Sequence, residues 1–289
     1  MRRFTIVIAV LLCLPKIASA WGVDGHQIVA IIATDRLSPS AKAAIHDLIG
    51  DEPISDPDVS SWPDQIRNQF PQTGPWHYVD IPADAAGFDE KRDGNNGNNV
   101  IEETEIYEME LADQATPKPW RVESLKFIVH FIGDLHQPLH CAERSGDKGG
   151  NGRLVFFLDR PRATNLHSVW DSAILFEDEG AAGDAKYADF LNAKITPAQA
   201  EQWAKGTPRD WANESHQIAV DSAYAGVPAA GPPPKLDIKY VQRNEPIIEE
   251  QLQKGGVRLA MVLNEIFAGY PTTNPTTNEA ESPTDTKNK

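Results

Sequence analysis

Cysteine is almost missing from this chain. Of two cysteines in 289 residues, Cys13 falls in an N-terminal leader, which leaves Cys141 alone in the mature protein. A disulfide within the mature chain is therefore excluded, and an exported protein of this size needs another source of rigidity, such as bound metal. Positive charge is also scarce. The formal charge is −15, and loss of Arg2, Arg3 and Lys16 with the leader removes three positive charges and takes it to −18. That balance excludes a protein that coats nucleic acid through a basic face and argues against stable association with anionic bilayers. It leaves room for an enzyme that holds phosphate with metal at one spot. No run is apolar enough for a membrane helix, since Phe4 to Leu14 is too short to span a bilayer.

Arg2 and Arg3, the Phe4–Leu14 run and Ala18-Ser19-Ala20 have the order of an export signal, so cleavage is expected at Ala20–Trp21, followed by periplasmic or secreted localisation. At the other end, residues 271–289 are rich in Thr, Asn, Pro and Glu and lack apolar periodicity, which reads as a disordered tail. Between them, residues 21–270 show no repeat and no linker. They are expected to form one domain with a substantial core, and a monomer.

What the chain does have is concentrated in Phe127 to Cys141, F-I-V-H-F-I-G-D-L-H-Q-P-L-H-C. Leu125, Ile128, Val129, Ile132 and Leu135 repeat at helical spacing, predicting a buried helix that ends near Gln137, before Pro138. His130 and Asp134 are four apart and share a face. Aspartate and histidines in so apolar a segment are costly unless paired or metal-bound. One such histidine would fit a satisfied core network, whereas this density favours metal.

The rest of the body reads as mainly α with a small β-hairpin. Helices are expected over Val23–Leu37, from Ser38-Pro39 to Gly50, around Val59–Phe70, from Asn99 to Ala112, and after Thr164 or Asn165. Others fit Asp184–Ala193, Pro197–Lys205, Arg209–Ala225 and Ile238–Phe267. Gly74–Pro82 reads as extended, Ala83–Asn99 as a surface loop, Gly146–Gly152 as a tight turn and Leu154–Leu158 as a hairpin strand.

A second His-x-x-x-Asp pair, His167 and Asp171, repeats the device of the central helix. With His140 these pairs make a plausible set of metal sites. Asp64 and His77 are ligand-type residues in aromatic surroundings, each weak alone. Cleavage before Trp21 would place a free α-amine, of ordinary pKa about 7.7–8.0, five residues before His26.

In order along the chain stand W-G-x-x-G-H (Trp21–His26), W-x-D-x-I-R (Trp62–Arg67), W-H-Y-V-D (Trp76–Asp80), H-F-I-G-D-L-H-Q-P-L-H (His130–His140), K-G-G-N (Lys148–Asn151) and N-L-H-x-V-W-D (Asn165–Asp171). Together they resemble the zinc-dependent single-strand nucleases and 3′-nucleotidases of the nuclease S-one/P-one type. The resemblance implies the single-domain helical bundle shared with zinc phospholipase C, and three Zn2+. One zinc would be held by Asp64, His77, His130 and Asp134. A second would use the Trp21 amine and carbonyl, His26 and a bridging Asp134, and the third His140, His167 and Asp171. It further implies that Arg67 contacts phosphate, that Tyr78 stacks a base and Asp80 hydrogen-bonds it, and that Lys148 and Asn151 edge the cleft. Alternation along a regular strand would instead put Tyr78 and Asp80 opposite His77. His136 stands outside the ligand sets, and His46 and His216 are expected on helix surfaces.

The implied activity is hydrolysis of single-stranded DNA and RNA to 5′-phosphorylated products, together with removal of 3′-phosphate from nucleotides. Lack of a disulfide sets this chain apart from the fungal and plant members and implies a bacterial-type member. Two other readings use the same ligands: a zinc-dependent phospholipase C, which would need a choline pocket and an apolar membrane face, and a zinc-binding protein without catalysis.

Overall fold

The computed structural model describes residues 21–179 and 183–272. The expected leader (1–20) and nearly all of the expected tail lie outside the described residues. Helices dominate. α1 (Val23–Thr34) buries Ile28, Val29 and Ile32 together with His26. It stops three residues before the expected Leu37. α2 (Pro39–Ile49) begins where Ser38 accepts from the Ala41 N–H, with Pro39 at the first position, and ends at Gly50 with φ 70°. The expected helix around Val59–Phe70 is instead two short ones, α3 (Pro57–Ser60) and α4 (Trp62–Ile66), with Pro57 and Pro63 each opening a new turn.

Gly74–Pro82 is not uniformly extended. A 3-10 helix covers Pro71–His77, and only from Tyr78 does the backbone open. Pro71, Gly74 and Pro75 fix that tight winding. The following loop holds one short α-helical turn, α5 (Glu90–Asp93), capped by Asp89, and a 3-10 turn over Asn95–Gly97. α6 (Val100–Ala112) starts at Asn99 as the sequence predicts, with the Asn99 side chain accepting from the N–H groups of Ile101 and Glu102. α7 (Lys118–Leu135) is the central helix, completely buried from Phe127 onward. A 3-10 turn over Pro138–His140 follows it.

β1 (Leu154–Phe157) and β2 (Thr164–Asn165) form the expected hairpin, in register Leu154↔Asn165. α8 (Leu166–Ser168) passes through a π-helical turn at Val169–Ala173 into α9 (Ile174–Glu179). α10 (Asp184–Lys194) and α11 (Pro197–Trp203) lie close to their expected bounds, whereas α12 (Pro208–Ile218) stops seven residues before the expected Ala225 and gives way to a π-helical turn over Ala219–Ala223; capping boxes at Thr196 and Thr207 open α11 and α12. β3 (Lys235–Leu236) then joins β1 in parallel, making the sheet order β2-β1-β3. Two residues carry no readable periodicity, so the sequence gives no sign of it.

α13 (Ile238–Ile266) closes the body by packing along α1. The approach is so close that a Cβ on Gly256 would lie 2.4 Å from Ile32 Cγ2. One core runs through the bundle, with Trp21, Trp170, Trp211, Phe131 and Phe157 among its largest fully buried side chains. Among the described residues no helix is long and apolar enough to cross a membrane.

Candidate metal centre

Five elements deliver histidine or aspartate to one buried spot. α1 brings His26, α4 Asp64, the 3-10 helix His77, α7 His130 and Asp134, and the turn after α7 His140. His167 and Asp171 come from α8 and the π turn, where the wider winding still leaves Nε2 and Oδ1 3.5 Å apart. All five histidines, Asp134 and Asp171 are buried.

The ligating atoms fall into three groups: His77, His130 and Asp134; His26, Asp64 and His130; and His140, His167 and Asp171, each within 4.8 Å internally. Asp134 sits between the first two. Its Oδ1 lies 3.3 Å from His26 Nε2, and its Oδ2 lies 3.1 Å from His77 Nδ1 and 3.4 Å from His130 Nε2. Asp64 stands 3.7 Å from His77 Nδ1 and 3.8 Å from His130 Nε2, while accepting from Arg67 Nη1 at 2.9 Å.

The outer ring nitrogens fix the tautomers. His130 Nδ1 faces the Ser60 carbonyl at 2.7 Å, His140 Nδ1 that of His77 at 2.6 Å and His167 Nδ1 that of Gly149 at 2.6 Å. A carbonyl only accepts, so each Nδ1 carries the proton and each Nε2 presents a lone pair inward. His140 Nε2 and His167 Nε2 thus face one another at 3.1 Å, lone pair to lone pair, beside the Asp171 carboxylate. His26 Nδ1 and Nε2, His77 Nε2 and Asp134 Oδ1 are buried without a hydrogen-bond partner. His77 Nδ1 lies 3.0 Å from His130 Nε2 and 3.1 Å from Asp134 Oδ2. Facing lone pairs, as at His140 and His167, cost free energy unless a cation lies between them, and an imidazole–carboxylate donor set fits zinc. These residues therefore fit a metal.

Burial dominates the electrostatics. It holds His26, His77 and His140 well below the usual imidazole range and His167 at about 4. It also pushes the Asp134 and Asp171 carboxyls well up, with Asp64 adding like charge to both. The histidines are accordingly neutral and ready as ligands. A bound dication would reverse the carboxyl shifts, because opposite charge favours the ionised form.

Two residues of the His130–His140 motif to which the sequence reading gave no role support the centre. Gln137 donates through Nε2 to Asp171 Oδ1, and its Oε1 accepts from the Leu139 N–H at 2.6 Å. Gly133 lies under His26, and a Cβ there would fall 2.6 Å from Nδ1. A glutamine just before proline, between two histidines, was a readable signal for the first. Gly133 stands in the same motif, but its close approach to His26 depends on packing between α1 and α7.

A cleft of about 330 Å3 opens onto the centre. His77, His140 and His167 line its floor; Arg67, Tyr78, Asp80, Lys148 and Asn151 line its sides. Tyr78 and Asp80 are thus not turned away from His77, because His77 closes a 3-10 helix and strand alternation does not apply. Asp80 is pushed up to about 6, by burial first and then by Glu143, Asp147 and Asp93. Lys148 holds φ 55°, a left-handed conformation uncommon for a side-chain-bearing residue. Trp21 is completely buried, and the next residue's N–H donates to the Asp171 carbonyl at 3.0 Å, which ties the start of the described chain to the third group. His136 and His46 lie where expected: His136 buried beside the centre, His46 exposed and facing Asp51. His216 does not. It is buried, and its Nε2 meets the Pro82 carbonyl at 3.0 Å.

A mainly helical body with a buried histidine–aspartate centre beneath an open cleft defines a metal-binding enzyme class rather than a structural bundle. The family model described as S1/P1 Nuclease matches residues 21–268, and the chain belongs to that family. It is 34% identical to Endonuclease 2 of Arabidopsis thaliana over 86% of this chain and 90% of that protein. It is 28% identical to Nuclease S1 of Aspergillus oryzae (94% and 100% covered) and 31% identical to Nuclease P1 of Penicillium citrinum (85% and 97%).

Proposed function

We propose that this nuclease is an exported, monomeric enzyme that uses three zinc ions to hydrolyse single-stranded DNA and RNA and to remove 3′-phosphate from nucleotides. Cleavage after Ala20 would release it, with Trp21 as first residue. The observation that carries the reading is the cleft, in which Arg67, Tyr78 and Asp80 stand around the histidines of the centre.

Asp64, His77, His130 and Asp134 would hold one ion, the Trp21 terminus, His26 and Asp134 a second, and His140, His167 and Asp171 the third. Bound zinc supplies Lewis acidity, which activates water and offsets phosphate charge. The chain's own residues do the rest. Arg67, fixed by Asp64, presents its remaining N–H groups to a non-bridging phosphate oxygen as negative charge develops there. Tyr78, 37% exposed, offers a ring face for a base, and Asp80 offers a carboxylate for its edge. Stacking needs a base free of a duplex, hence the single-strand preference. Lys148 and Asn151 border the same cleft. Water oxygen bonds to phosphorus as the P–O3′ bond breaks, with the proton passing to the O3′ side. The same bond broken in a polymer leaves a 5′-phosphate, and in a 3′-nucleotide it frees inorganic phosphate. One geometry thus accounts for both activities.

The test is protein beginning at Trp21, of measured metal content, offered single-stranded DNA, RNA, 3′-AMP and phosphatidylcholine with and without chelator. Chelator-sensitive hydrolysis of the nucleic acids and 3′-AMP is expected. Hydrolysis of the lipid alone would move the centre to the phospholipase class, and full zinc without hydrolysis would make it a storage site.

A further inference from the structure

The turn between Arg144 and Arg153 carries several working parts. Its Gly149 carbonyl accepts from His167 Nδ1 at 2.6 Å and so aims a ligand of the third group. Lys148 and Asn151, in the same turn, border the catalytic cleft. The turn is also strained. Lys148, Gly149 and Gly150 are left-handed in succession, at φ 55°, 60° and 79°, and a Cβ on Gly149 would collide with the Leu139 carbonyl. A backbone of this kind keeps its shape only where its surroundings impose it.

The imposing contact comes from a distant element. Tyr224 follows the π-helical turn over Ala219–Ala223 and is buried. Its hydroxyl donates to Asp147 Oδ1 at 2.9 Å. The same oxygen accepts from the Arg144 N–H at 3.1 Å, and the Asp147 carbonyl accepts from the Gly152 N–H at 2.8 Å. Asp147 therefore closes the turn on both sides while Tyr224 holds Asp147. Arg144 returns the grip: its guanidinium lies 4.1 Å from the centre of the Tyr224 ring, and Nη1 donates to the Val227 carbonyl at 2.8 Å. Asp147 Oδ2 is buried without a hydrogen-bond partner among the described residues, so the side-chain hold rests on Oδ1. Burial, then Asp147, pushes the Tyr224 hydroxyl up, so it stays protonated and can only donate to the carboxylate. Neither Tyr224 nor Asp147 lines the catalytic cleft.

We propose that Tyr224 is a positioning residue for the third metal group: through Asp147 it fixes the turn whose Gly149 carbonyl aims His167 and whose Lys148 and Asn151 edge the cleft. The catalytic consequence rests on the nuclease reading above, whereas the effect on metal does not. Phenylalanine at this position fills the same space but leaves a buried carboxylate one donor short. The carboxylate then turns towards water, the turn follows it, and the His167 ring loses its aim.

The test uses protein beginning at Trp21 and loaded with zinc, in four forms: unaltered, Tyr224→Phe, Asp147→Ala and Tyr224→Phe/Asp147→Ala. Zinc retention is titrated ion by ion against a competing chelator. Tyr224→Phe is expected to weaken one zinc about tenfold, the low end of the loss seen when a partner of a ligand is removed. The ions kept by Asp171→Asn should be held as before. In the Asp147→Ala background the same substitution should change nothing further, because the hydroxyl acts only through that carboxylate. Unchanged retention in Tyr224→Phe would overturn the proposal, as would an equal loss in both backgrounds. A loss shared by every ion together with a lower Tm would also overturn it, by making Tyr224 a residue of the fold alone. Hydrolysis of single-stranded DNA by the same samples should fall with the weakened ion and return with excess zinc. If the unaltered zinc-loaded protein cuts no DNA, the nuclease reading fails, while the zinc titrations still decide the role of Tyr224.

Discussion

His140 donates through Nδ1 to the main-chain carbonyl of His77 at 2.6 Å, and the His140 carbonyl in turn accepts from Val79 N–H at 2.8 Å. A ligand of one group is therefore aimed by the backbone of a ligand of another, independently of the second residue's side chain. His77→Ala should remove a donor from the first group and leave the His140 ring in place. Zinc per chain, measured by atomic emission, is expected to fall in part. A fall to zero would show that the groups are not separable in this way.

Asp134 reaches His26 with one oxygen and His77 and His130 with the other, whereas Asp171 serves only the third group. Asp134→Asn should accordingly lower kcat at least about tenfold more than Asp171→Asn, given the usual scale of losses at metal centres. Equal losses in steady-state assays would contradict a bridging role.

Gln137 has two separable duties, holding the Asp171 carboxylate and capping the turn that carries His140. Gln137→Glu keeps the capping oxygen but sets a carboxylate against Asp171. Gln137→Leu removes both. Each should weaken zinc retention at the third group by about 10–100-fold, the range expected when a partner of a ligand is lost. Only Gln137→Leu should also lower Tm clearly. Titration against a competing chelator and thermal melts read the two effects apart.

Gly133→Ala puts a methyl 2.6 Å from His26 Nδ1. The ring has to move, so the bridged pair is expected to lose zinc affinity while the helix itself, which favours alanine, is not weakened. Unchanged zinc binding would mean that His26 is no ligand.

His136 supplies a pH dependence outside the ligand sets. Burial, then Arg258, whose Nη1 donates to its Nε2 at 2.8 Å, takes the ring down to about 3. The folded ring stays neutral, but in the unfolded chain it gains a proton below about 6.5. Its contribution is thus present above pH 6.5 and is lost as pH falls towards 3, by up to about 1.4 kcal/mol per pH unit. His136→Gln does not titrate. The Tm difference between the two proteins should narrow from pH 7 to pH 5, and a constant difference would refute the assignment.

The helices that carry His26, His130 and Asp134 have no side-chain cap and were readable from apolar spacing, whereas α2, α6 and α11 were readable from the local caps at Ser38, Asn99 and Thr196. The ligand residue types, and their order along the chain, were readable as well. What was not readable depends on long-range packing. The 3-10 winding before His77 brings Tyr78 and Asp80 to the cleft, where alternation would have turned them away. His216 looks like a surface residue until the segment at Pro82 covers it. The lone-pair encounter of His140 and His167 requires a carbonyl at Gly149 that no spacing rule places there.

The glycine-mediated crossing of α1 and α13 has a consequence for synthesis. The helix that carries His26 is among the first segments of the body to be made, and the helix that encloses it is the last. During translation the ligand side chains exist long before their enclosure does, and pairing across so long a stretch is slow to form. The centre is therefore enclosed only after the last helix of the described chain has been made.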